Sequence, residues 1–109
     1  MNVSDLTKMT KGWFIGPFEP SLLKTEEFEC AVKRYTAGER EKRHVHKVST
    51  EFTVIVEGLV RMNGTTYPKN SIIEVLPGES SDFEVLENTI TFVVKTPAVI
   101  GDKYELGDA

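Results

Sequence analysis

GEREKRHVHKVSTEFTVIVEG, residues 38–58, contains both histidines of the chain, and a glutamate follows five residues after the second. Counted from Gly38, the frame is five residues, His44, one residue, His46, four residues, Glu51, six residues, Gly58. Side chains on a strand alternate between its faces, so His44 and His46 share one face. A carboxylate entering on the next strand, Glu51, can complete a three-point grip on a metal ion. The spacing therefore predicts a metal site on a β-scaffold.

Outward from this stretch the text keeps reading as short strands divided by turn residues. Strands are predicted at Phe28–Tyr35, Arg43–Val48, Glu51–Met62, Thr65–Tyr67, Ser71–Leu76, Asp82–Leu86 and Ile90–Thr96. Gly58 marks a bend or bulge inside the longest of them. Asn63-Gly64 is the strongest hairpin dipeptide in the chain, and Pro77-Gly78 stops another strand. Nothing between residues 28 and 97 has helical periodicity, and only Pro20–Glu27 could form a short helical turn. Many short strands of this kind predict an all-β protein, an antiparallel sandwich or barrel. Residues 1–27 are expected to form an arm that packs on the barrel or on a dimer partner, and 28–109 the barrel domain.

With 109 residues the chain has room for one core. Thirteen basic against seventeen acidic side chains give a formal charge of -4. That balance offers no bulk attraction to nucleic acid or to an anionic membrane. No apolar run approaches the roughly 20 residues that cross a bilayer. The first residues, MNVSDLTKMTKGWF, lack the pattern of a secretory signal. One cysteine, Cys30, excludes an internal disulfide and suits a reducing compartment. A cytoplasmic location is the expectation.

The frame resembles the first motif of the cupins, Gly-x5-His-x-His-x3or4-Glu-x6-Gly, at all five fixed positions: Gly38, His44, His46, Glu51 and Gly58. The likeness covers roughly residues 30–96 and implies an antiparallel jelly-roll barrel of small single-domain type. It also implies that His44, His46 and Glu51 ligate a divalent metal (zinc, manganese, iron or nickel) inside the barrel. The second cupin motif normally supplies a fourth ligand, a histidine. Here Ser81 occupies that position, and the chain has no third imidazole. Asp82 is a candidate fourth ligand, although alternation from an inward Ser81 points it outward. The same three residues can instead form a metal-free hydrogen-bonded cluster.

Lys42 and Arg40 share strand parity with the histidines, so Lys42 is a candidate to hold an anionic group. Lys33 and Tyr35 on one strand, Thr53 on another, and Ser81 are candidate ligand-binding walls. Trp13 is a candidate stacking surface. Phe52, Val54 and Val56 take the outer parity and need a cover, and the resemblance favours a homodimer. The expected activity is metal-dependent work on a polar small molecule, with a sugar or sugar-phosphate isomerase or epimerase preferred and Glu51 as candidate catalytic residue. The alternatives are a non-catalytic small-ligand-binding cupin and an Fe(II)-dependent dioxygenase, so the sequence leaves open whether the chain is an enzyme.

Overall fold

The computed structural model describes residues 1–107; the last two positions of the predicted barrel segment, 108–109, lie outside the described residues. Eight strands follow one another: β1 (Trp13–Ile15), β2 (Glu29–Tyr35), β3 (Arg40–Val45), β4 (Thr50–Met62), β5 (Thr65–Pro68), β6 (Ile72–Val75), β7 (Ser80–Thr96) and β8 (Tyr104–Glu105). Every pairing is antiparallel.

Two long strands organise the barrel. Along one edge β7 pairs first with β3 and then with β2; along the other it pairs with β4. The free edge of β4 takes β6 on its first half and β5 on its second. Both long strands bend, and the β4–β7 register slips between Ile55 and Val60. Gly58 sits in that bend with φ +101°, and a side chain there would strike Thr89 and the Asn88 carbonyl. Only glycine meets both demands without strain. Asn63 and Gly64 both have positive φ, 49° and 80°, as a two-residue hairpin turn requires.

Three predicted elements differ. The expected strands at Asp82–Leu86 and Ile90–Thr96 are one strand of 17 residues, because Glu87-Asn88 is a bend within a continuous ladder. The strand bearing the histidines begins at Arg40 and ends at Val45, leaving His46 in the following loop. Pro20–Glu27 is not helical; the helical turns are the short 3-10 segments Leu6–Lys8 and Thr10–Gly12. No helix among the described residues is long and apolar enough to cross a membrane.

The interior is divided. At one end Ile55, Val60, Met62, Val75, Phe83 and Val85 form the buried apolar cluster. At the other end the buried polar positions are His44, His46, Thr53, Ser81 and Thr91, with Val93 beside them. The apolar half supplies the burial that holds the barrel closed, and it leaves the polar half to chemistry.

Candidate metal and ligand site

A bulge in β3 decides what faces inward. Glu41 pairs with Phe83 and His44 with Ser81, so Lys42 and Arg43 together stand opposite Asp82 alone. Two residues against one reverse the alternation. Glu41 and His44 both point inward, although an unbroken strand would place them on opposite faces. The parity predicted for Arg40 and Lys42 is thereby corrected: both are exposed, and Glu41 takes the wall position expected of Lys42. Asp82 lies on the outer side, where it accepts hydrogen bonds from the Asn63 amide (2.7 Å) and the Arg43 guanidinium (3.4 Å). It is not brought to the histidines.

Both imidazoles are oriented from behind. His44 Nδ1 lies 3.0 Å from the Lys42 carbonyl oxygen, and His46 Nδ1 lies 2.5 Å from the Asp102 carbonyl oxygen. A carbonyl only accepts, so Nδ1 carries the proton in each ring and Nε2 is left with its lone pair. That is the tautomer a metal-ligating histidine adopts. The rings stand 5.2 Å apart at 75°. His46 Nε2 is buried without a hydrogen-bond partner, and it faces Glu51 Oε1 at 3.8 Å. Burial, with Lys95 nearby, holds the His46 pKa below the ordinary imidazole value, against the pull of the Asp102 carbonyl and Glu51. That lowering favours the uncharged ring, in which Nε2 turns a lone pair toward Glu51. Two electron-pair donors face one another.

Asp102 builds the loop that carries His46. Its carboxylate accepts from the backbone N–H groups of Lys47 (2.9 Å), Val48 (3.1 Å) and Ser49 (2.9 Å), while its main-chain carbonyl takes the His46 ring. Burial works against its ionisation, but those three donors outweigh it and hold the carboxyl below its ordinary range. Nothing in the sequence marks this residue, which lies 56 positions from His46.

The cleft at the centre has a volume of about 30 Å3 and is bounded by His44, Glu51, Lys33, Tyr35, Thr53 and Ser81, among others. His46 lines a separate space of about 230 Å3 with Lys95 and Asp102, whereas every sequence-predicted wall residue except Lys42 lines the cleft. Glu41, which sequence reasoning missed, lines it too and accepts a hydrogen bond from the Tyr35 hydroxyl at 3.2 Å. Burial, then the charge of Glu41, pushes the Tyr35 phenol well above its ordinary value, so it remains a donor. Burial lowers the Lys33 ammonium, against the opposing pull of Glu41. Lys33 and Lys95 each place Nζ 5.1 Å from the centre of the Trp13 ring. Among the described residues no three His, Cys, Asp or Glu side chains already surround one point.

No protein-family model matches the chain, and no curated protein matches it. Solved structures do. An uncharacterized conserved protein with a double-stranded β-helix domain from Klebsiella pneumoniae is 18% identical, with 97% of this chain and 99% of that one covered and a TM-score of 0.69. A sugar phosphate isomerase from a cupin superfamily of Silicibacter pomeroyi is 21% identical over 64% of this chain and 50% of that one, with a TM-score of 0.58. Oxalate decarboxylase from Bacillus subtilis, described with Mn(II) centers, is 16% identical over 75% of this chain and 25% of that one, with a TM-score of 0.63. The chain thus has the cupin fold, a jelly-roll double-stranded β-helix in small single-domain form.

Proposed function

We propose that this chain is a metal-binding cupin that holds a divalent ion on His44, His46 and Glu51 and binds a small polar molecule beside it. One observation carries the reading: His46 Nε2, buried without a hydrogen-bond partner, faces Glu51 Oε1 at 3.8 Å. A cation between them would give both atoms a partner, and each imidazole is held at Nδ1 by a carbonyl, which leaves Nε2 to serve it. The Glu51 carboxyl group accepts no hydrogen bond from the described residues, so it is free to close on the ion. Ser81, opposite His44 on the inner wall, leaves the fourth position to water or ligand. Imidazole with carboxylate suits zinc, manganese, iron or nickel. An ion bound there acts as a Lewis acid on a ligand oxygen.

The cleft volume of about 30 Å3 separates the readings. It has room for about one or two waters, or an ion with one. A sugar phosphate does not fit in it, so any organic ligand would reach the ion only from the rim, and holding an ion with a small molecule there without turnover is the reading we prefer. Oxygen chemistry remains the enzymatic alternative, favoured by two imidazoles and one carboxylate. Titration calorimetry of Mn2+ or Zn2+ into chelator-stripped protein tests metal binding. Oxygen uptake by the Fe(II)-loaded protein, which the binding reading expects to stay at the background rate, tests the enzymatic alternative.

A homodimer is proposed on a separate observation. Val32, Phe92, Val54 and Ile72 stand side by side in register on the outer face. Ile72 is 69% exposed and Val56 44% exposed. The neighbouring row runs Arg34, Ile90, Glu57, and a two-fold rotation sets Arg34 of one copy against Glu57 of the other. Sedimentation velocity is expected to give a dimer, and Ile72→Glu with Val56→Glu a folded monomer. A wild-type monomer at about 100 µM would exclude the interface, since a stable one binds well below that. We place the chain in the cytoplasm, in keeping with a single buried thiol, Cys30.

A further inference from the structure

Lys33 is the point where the central cleft meets a second, larger space. A groove of about 390 Å3 lies between β2, the start of β3 and the N-terminal turns. Its volume falls within the range of small-molecule pockets. Lys33, Tyr35 and Glu41 line both spaces, so they form the partition between groove and cleft. Leu6, Met9 and Val32 give the groove an apolar wall.

Its charges are unevenly engaged. Of its two acids, Glu39 accepts a bond from the Thr36 amide (3.1 Å) and Glu41 one from the Tyr35 hydroxyl. Its three cations, Lys11, Lys33 and Arg34, make no ion pair or side-chain hydrogen bond among the described residues, and of the three only Lys33 also lines the cleft. Lys95, the other ammonium beside Trp13, differs in having Glu29 at 3.9 Å. Lys33 is thus half-buried over the face of the Trp13 indole, with the charge of Glu41 near it but no carboxylate in ion-pair contact. A buried ammonium is stable when it is paired, and a carboxylate is its strongest small partner.

We propose that this groove binds a small carboxylate with an apolar body. The head group takes the Lys33 ammonium at the partition, and the body lies against Leu6 and Met9. The proposal rests on the metal-binding reading for what lies behind the partition, since a head group at Lys33 is at the threshold of the His44–Glu51 cleft. The groove and its lysine do not need the ion, which allows the two to be tested apart.

Hexanoate is a suitable probe, and the sole tryptophan, Trp13, is the reporter because a head group at Lys33 draws that ammonium from the ring. Emission should change saturably with hexanoate at a Kd below about 10 mM, and calorimetry should agree. Hexanol and inorganic phosphate, each carrying half of the chemistry, should bind at least about tenfold more weakly. Lys33→Met should weaken hexanoate binding about tenfold or more, whereas Lys33→Arg, which keeps the charge, should stay within about threefold. Chelator-stripped protein should bind hexanoate as before, so a failure of metal uptake alone leaves the groove intact. Any of three results overturns the proposal: no saturable binding, equal binding of hexanol, or loss of binding on chelation but not in Lys33→Met.

Discussion

Asp102→Ala is expected to destabilise the fold by about 2–4 kcal/mol, although residue 102 lies in a loop outside every strand. Its carboxylate is the acceptor for three consecutive backbone N–H groups, and the side chain is buried. Removing it leaves the Ser49 amide buried without a partner and those of Lys47 and Val48 half-served. A buried donor without an acceptor costs about 1–3 kcal/mol. For a domain of this size the melting temperature should fall by roughly 10 °C or more. Asp102→Asn retains one good acceptor oxygen and should lose less.

The same residue sets an acid limit. Its pKa is lowered in the fold from an ordinary value near 3.8, so its contribution is complete above that value. The contribution is lost as pH falls through and below it. Between about pH 5 and pH 2 the wild type should lose stability relative to Asp102→Ala, the gap between them narrowing. A melting temperature for Asp102→Ala within about 2 °C of wild type would show that the loop does not depend on this carboxylate.

The second large effect concerns the ion. At a free concentration 100 times its Kd, a bound metal should raise wild-type stability by about 2.7 kcal/mol through mass action. His46→Ala removes the donor that Asp102 holds in place, and metal affinity should fall by more than the 10–100-fold typical of losing an outer partner. The metal-dependent rise in melting temperature should then vanish, in addition to a metal-free loss of about 1–3 kcal/mol from the buried ring and its bond to the Asp102 carbonyl. Ser81→His offers the reverse test. It puts an imidazole opposite His44 at the position where the second cupin motif has one, and should tighten binding. If His46→Ala keeps the full metal-dependent rise, His46 is no ligand.

How legible all this was depends on the range of the signal. Barrel strands were readable because alternation, Gly58 and Asn63-Gly64 are local, and the last two act through positive φ. Period-2 reasoning put His44 and His46 on one face of a single strand with Glu51 on the next. The strand ends at Val45, however, and His46 is oriented by its loop and the Asp102 carbonyl instead. The bulge at Lys42 and Arg43 carries no glycine or other mark, yet it exchanges Lys42 for Glu41 on the inner wall. Asp102 acts on a loop more than fifty residues away, a link that only the closed barrel creates. The merging of two predicted strands into β7 has the same origin: Glu87-Asn88 looks like a turn until β4 bends alongside it.

The central claim is that the polar end of the barrel holds a metal on His44, His46 and Glu51. Elemental analysis of protein purified without chelator tests it most directly. The account expects about one divalent ion per chain in the wild type and less than about a tenth in His46→Ala and Glu51→Gln, as a site losing one of three protein ligands should show. A wild-type content below about a tenth per chain, unchanged after incubation with zinc, manganese, iron or nickel, would contradict it.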